Sequence, residues 1–118
     1  VQPGAAVRGR ERIAADLDGA VKRGRLSVEE RDAILARIAV TDQIDGLAGC
    51  GLAVEAIVEK LEPKQALFRR LEAALGTEAV LATNTSSISI TAVAQGLARP
   101  QRLIGWHFFN PAPRMKLV

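Results

Sequence analysis

Three short apolar runs, Gly51-Leu-Ala-Val-Glu-Ala-Ile57, Ala79 to Ala82 and Leu103 to Trp106, alternate with helical patterns, and that alternation constrains the fold more than anything else in the chain. Runs of this length bounded by turn-forming residues read as buried strands. Between the first two, Leu67, Leu71 and Leu75 recur at helical spacing with Phe68 beside them. That helix is expected to begin near Pro63, where a missing backbone donor costs little in the first turn, and to stop at Gly76. A shorter helix is expected from about Ile90 to Leu97, before the last strand. Strands and helices in this order predict a parallel α/β sheet.

Upstream the pattern is helical. Ile13, Leu17 and Val21 fall along one face of a helix expected over Ala5 to Arg23, with Gly24 as its stop. Ser27 followed three residues later by Glu30 has the form of a capping box opening a second helix, to about Arg37, with Ile34 and Ile38 facing inward. Ile38-Ala-Val40 is a candidate strand, and Asp42 to Gly49 a connection with one helical turn.

Composition excludes several function classes. The 118 residues suffice for one small domain, and 48% hydrophobic residues support a packed core. The 16 basic and 13 acidic side chains are dispersed and only 3% of residues are aromatic, so neither a phosphate-binding block nor a base-stacking surface is expected. Cys50 is the single cysteine and His107 the single histidine, which leaves no intrachain disulfide and no usual zinc site. No apolar run approaches the ~20 residues of a membrane helix, and the first residues lack the layout of a secretory signal. The expectation is a cytoplasmic protein with no membrane and no nucleic-acid partner.

Two polar motifs follow the second and third apolar runs: Asn84-Thr-Ser-Ser-Ile-Ser-Ile-Thr91 and Gly105-Trp-His-Phe-Phe-Asn-Pro-Ala-Pro113. In an open parallel sheet, ligands bind beyond the carboxyl ends of the strands, so Ser86, His107 and Asn110 are expected to line one crevice. An imidazole, with an ordinary pKa of ~6.5, suits proton removal from an alcohol at neutral pH. A lone histidine can equally be a hydrogen-bonded strand end, and Ser86, Asn84 and Asn110 can be turn residues bracing their own loops. Gly46-Leu-Ala-Gly-Cys-Gly51 has the spacing GxxGxG and precedes a strand, so it reads as a turn and not as a dinucleotide fingerprint.

Asn84-Thr-Ser-Ser87, His107-Phe-Phe-Asn-Pro111, Met115-Lys-Leu-Val118 and Ala53-Val-Glu-Ala-Ile-Val-Glu-Lys60 together resemble the nucleotide-binding domain of the L-3-hydroxyacyl-CoA dehydrogenases, which include the 3-hydroxybutyryl-CoA dehydrogenases. The similarity is close from about Gly51 to Val118. The resemblance implies NAD as cofactor and an acyl-CoA as substrate. It implies that His107, at the family's interval from Ser86, is the base for the 3-hydroxyl proton, and that Ser86 and Asn110 contact substrate, with Asn110 also beside the nicotinamide ribose. Ala56, Glu59, Lys64 and Asn84 match residues that flank the cofactor. For Glu59 and Lys64 the plain alternative is a solvated helix start. Lys22 and Arg23, with Arg25, fall where a basic helix of the family meets the CoA phosphates, although a helix C-terminus favours cations in any case.

The resemblance also implies an incomplete Rossmann-like doubly wound sheet. The family's order is strand, glycine loop, helix and a second strand ending in an acidic residue, after which Val1-Gln-Pro-Gly4 would fall; the first βαβ unit, the glutamate after Lys-Leu-Val and the helical C-terminal domain are expected to lie outside residues 1–118. These residues form part of one NAD-binding domain by this reading, supplying the third to sixth strands. The implied activity is oxidation of a short-chain (S)-3-hydroxyacyl-CoA to the 3-oxoacyl-CoA, with the chain alone inactive and prone to self-association. The alternatives are a related dehydrogenase of a non-CoA hydroxy acid, or a non-catalytic, self-associating α/β fragment.

Overall fold

The computed structural model describes residues 4–118, so Val1, Gln2 and Pro3, most of the segment expected to follow the family's second strand, lie outside the described residues. The chain resolves into two compact units, one up to Gly46 and one from Leu47 to Val118. In the first, helix α1 (Ala5–Lys22) is followed by Gly24, whose φ of 66° takes the left-handed turn that ends a helix. Helix α2 (Val28–Ala36) opens on the expected capping box: the Ser27 hydroxyl accepts from the Glu30 N–H at 3.1 Å, and the Glu30 carboxylate accepts from the Ser27 N–H at 2.8 Å. Arg10 of α1 donates to the carbonyls of Leu35 and Ile38, each at 3.2 Å, and so ties the two helices together at the end of α2.

One expectation for this unit is corrected. Ile38 to Val40 is not a strand, because a strand exists through its ladder and among the described residues no neighbouring strand pairs with this backbone. The apolar faces of the two helices are partly buried. Ile13 is 43% exposed, Leu17 and Val21 are half-buried, and so are Ile34 and Ile38.

A 3-10 turn over Ile44–Leu47 carries the chain from the first unit into the second, where a bend at Gly49, with φ of 89°, leads into strand β1 (Leu52–Glu55). Helix α3 (Leu61–Ala74), strand β2 (Val80–Thr83), helix α4 (Ile90–Ala94) and strand β3 (Leu103–Gly105) follow in the expected alternation. The three strands are parallel in the order β1-β2-β3, with Glu55 opposite Thr83 and Thr83 opposite Gly105. Asn84 N–H donates to the Glu55 carbonyl at 2.8 Å and Trp106 N–H to the Thr83 carbonyl at 2.9 Å. The ladder therefore runs one residue past β2 and β3, and the chain leaves β1, β2 and β3 at one common carboxyl edge.

The period of two along each strand divides the sheet into two faces. One carries Glu55, Leu81, Thr83 and Leu103, all buried, beneath α3 and α4, whose Phe68, Leu71 and Val93 complete the core. The central position of the α3 stripe is Phe68, at 0% exposure, while Leu67 is half-buried. The opposite face carries Leu52, Val54, Val80 and Ile104, each about two-fifths exposed. Gly49, Cys50 and Gly51 line a shallow cleft with Gly76, Thr77 and Glu78 at the amino ends of the strands. The glycine cluster is thus a turn at the end of the sheet away from the carboxyl edge. Among the described residues no helix is long and apolar enough to cross a membrane, and no group of three His, Cys, Asp or Glu residues could hold a metal ion.

Candidate active site

The carboxyl edge brings two loops together. Beyond β3, His107 is half-buried, and its Nε2 shares a hydrogen bond of 3.0 Å with the Ser86 hydroxyl from the loop after β2. The His107 ring meets Phe109 edge-on, with centroids 4.8 Å apart, while Trp106 and Phe108 stack at 5.6 Å. Alternate residues of this strand extension thus project to opposite sides, and His107 is held between an aromatic edge and a hydroxyl. Asn84 joins the two loops through its carboxamide oxygen, which accepts the Phe108 N–H at 2.7 Å. Asn110 is exposed, and no hydrogen bond joins its side chain to Ser86 or His107 among the described residues.

The Ser86 loop is shaped from the third strand end. Glu59 lies between β1 and α3, and its Oε1 accepts from the Thr85 hydroxyl, the Ser86 N–H at 3.0 Å, the Ser87 N–H at 3.2 Å and the Ser87 hydroxyl at 3.4 Å. Its Oε2 lies 3.3 Å from the Lys64 ammonium. The Thr85 hydroxyl above all, then the Ser86 N–H, the Lys64 ammonium and the Ser87 N–H, hold the Glu59 carboxyl well below its ordinary value of 4.5, at about 2. Glu59 is therefore an anion at neutral pH.

Lys64 is not a solvated helix-start residue. Its side chain is 1% exposed and its ammonium sits 2.7 Å from Glu55, whose side chain is 0% exposed. Glu55 also accepts the Ile57 N–H at 2.6 Å and the Thr83 hydroxyl at 2.7 Å. Sequence reading leaves Glu55 inside an apolar strand and does not single it out. The available signal is alternation: Glu55 shares its face with Ala53, the side that α3 covers, and a carboxylate there needs a buried partner.

Ala56 is exposed just past β1, at the same edge. Lys22 and Arg23 belong to the first unit, in the last turn and at the C-cap of α1, where cations complement the helix dipole.

Three adjacent strand ends that present a serine–histidine hydrogen bond beside an anionic carboxylate form a constellation suited to proton transfer on a bound alcohol. The family model for the 3-hydroxyacyl-CoA dehydrogenase NAD-binding domain matches residues 1–118. The chain belongs to this family. It is 47% identical over 106 residues to the 3-hydroxyadipyl-CoA dehydrogenase of Escherichia coli K12, covering 90% of this chain and 22% of the relative. With the 3-hydroxybutyryl-CoA dehydrogenase of Bradyrhizobium diazoefficiens it shares 43% identity, over 90% of this chain and 36% of the relative. Among solved structures, a 3-hydroxybutyryl-CoA dehydrogenase from Escherichia coli K12 superposes with a TM-score of 0.93 at 43% identity, covering 98% of this chain and 25% of that one. The (S)-3-hydroxybutyryl-CoA dehydrogenase of Ralstonia eutropha gives 0.91 at 34%, covering 98% and 41%. The chain thus spans between about a fifth and two-fifths of the length of these dehydrogenases.

The family's NAD-binding domain implies a dinucleotide, and the residues at the carboxyl edge fit one half of it. Glu59 is 40% exposed at its side chain and among the described residues its Oε2 is held only by Lys64, which leaves acceptor capacity for a ribose hydroxyl or a carboxamide. Asn84, whose carboxamide oxygen is taken by the Phe108 N–H, adds a donor nitrogen from the second loop. The pyrophosphate half needs a glycine loop between a strand and a helix, and the Gly49 to Gly51 turn stands at the opposite end of the sheet.

Proposed function

We propose that the protein carrying this chain oxidises a short-chain (S)-3-hydroxyacyl-CoA to the 3-oxoacyl-CoA with NAD, and that His107 removes the proton of the 3-hydroxyl. The observation that carries this reading is the 3.0 Å hydrogen bond between Ser86 and His107 Nε2 at two adjacent strand ends. A substrate hydroxyl placed between the two side chains could donate to the imidazole and accept from the serine. NAD, when bound, supplies the acceptor for the hydride from C3.

The chain's own residues do the remaining work. Ser86 orients the substrate oxygen, and Asn110, exposed at the mouth of the same edge, reaches the substrate and the nicotinamide ribose. Ala56, Glu59 and Asn84 border the cofactor, the buried Lys64 supports that border through its ion pair with Glu59, and Lys22 and Arg23 offer cations to the CoA phosphates. The short acyl chain is supported by the relatives, which are dehydrogenases of 3-hydroxyadipyl-CoA and 3-hydroxybutyryl-CoA. A cytoplasmic setting and self-association through the open β1 edge belong to the same reading.

The test is NAD-dependent oxidation of 3-hydroxybutyryl-CoA by the full-length protein against the free 3-hydroxy acid. Preference for the thioester is expected. Equal turnover of the free acid would replace the acyl-CoA by a non-CoA hydroxy acid, and no turnover of either would remove the activity.

A further inference from the structure

Glu55 ends β1 with its side chain out of water, and every one of its contacts is made inside the second unit. A carboxylate and an ammonium buried together are strongly penalised unless their geometry is close and their remaining hydrogen-bonding sites are filled. Here they are: Glu55 Oε1 accepts from Lys64 and from the Ile57 N–H, and Oε2 accepts from the Thr83 hydroxyl. Lys64 also stands near the start of α3, the positive end of the helix dipole, where a cation is disfavoured. Its placement is therefore imposed by the two carboxylates it touches.

Those two contacts are unlike. Glu55 holds Lys64 from a rigid strand, whereas Glu59 is at the surface in the connection between β1 and α3, with no ladder to fix it. Glu59 in turn gathers Thr85, Ser86 and Ser87 on one oxygen. A brace between strand and helix would be complete with Glu55 and Lys64 alone. The second ion pair continues it into the loop that sets Ser86 against His107.

We propose that Glu55 is a positioning residue: through the buried Lys64 ammonium it fixes the Glu59 carboxylate, and so the conformation of the Thr85 to Ser87 loop that presents Ser86 to His107. The role rests on Ser86 and His107 being the reacting pair, but it is read out in the loop itself, so it stands or falls separately from turnover.

The experiment is nuclear magnetic resonance of the full chain, following the Ser86 and Ser87 amides and the His107 ring. Amide protons bonded to a carboxylate resonate downfield. Glu59→Gln sets the full upfield displacement expected when that acceptor is lost. Glu55→Gln keeps the shape of the side chain and removes its charge. The double variant Glu55→Gln with Lys64→Met removes both buried charges, a change that buried pairs often tolerate without loss of folding. In whichever of these two folds, Ser86 and Ser87 are expected to move upfield by at least half of the Glu59→Gln displacement, and the His107 ring to lose its through-space contact with Ser86. Loop amides that stay at their wild-type positions in a folded variant, or loss of the fold in both variants, would make Glu55 a brace of strand and helix only and overturn the proposal.

Discussion

The Asn84 carboxamide oxygen accepts the Phe108 N–H at 2.7 Å, so the loop after β2 is tied to the extension of β3 one residue from His107. Asn84 therefore serves the geometry of the neighbouring loop in addition to its own. Asn84→Ala would leave the part-buried Phe108 N–H without its acceptor, at a cost of about 1 to 3 kcal/mol. Denaturant unfolding is expected to show a lower midpoint with an unchanged slope. A midpoint equal to the wild type would mean that the tie contributes nothing.

His107→Gln should lower kcat for 3-hydroxyacyl-CoA oxidation in the full-length protein by roughly 10²-fold or more, the usual contribution of a placed general base, with little change in NADH affinity. Steady-state rates together with NADH fluorescence titration separate the two quantities. Near-normal kcat would take His107 out of the reaction.

The Glu59 carboxyl has a folded value of about 2 against an ordinary 4.5, and the sign of its effect follows. A depressed carboxyl favours the folded loop above the ordinary value; that contribution falls away as pH drops from 4.5 towards 2 and is gone below it. The Ser86 and Ser87 amides are therefore expected to hold their positions at neutral pH and to move only near the acid end of this window. Thr85→Val removes the largest cause of the depression while keeping the side-chain shape, so the same transition should occur at higher pH. An unchanged transition in that variant would assign the depression to the other partners of Glu59.

Among the described residues strand β1 pairs on one side only, and Leu52 and Val54 on it are exposed. Unpaired backbone along an apolar strand is a template for a second copy. Light scattering on the eluting 118-residue chain is expected to give a mass above 12.6 kDa, and Val54→Lys, a charge placed on that face, should shift it towards the monomer. A cooperative monomer of the wild-type chain would contradict this.

The sequence by itself determined the alternation of β1, α3, β2, α4 and β3, because each element carries its own period and stop signal: the Leu67, Leu71 and Leu75 stripe with Phe68 beside it, Gly76, and the turn residues after Thr83. It determined the Ser27–Glu30 capping box for the same local reason. It placed Ser86 and His107 at strand exits, from which a shared edge follows once the strands are parallel. Only the tertiary structure could decide the rest. Ile38 to Val40 has the composition of a strand, but pairing is non-local and no partner is there. Ile13, Leu17 and Val21 have the spacing of a buried face, but spacing does not supply the surface that would cover it. Lys64 reads as a solvated cation until the sheet brings Glu55 and Glu59 to it from nine and five positions away. A buried charge is decided by the partners the fold assembles around it, and no local pattern encodes them.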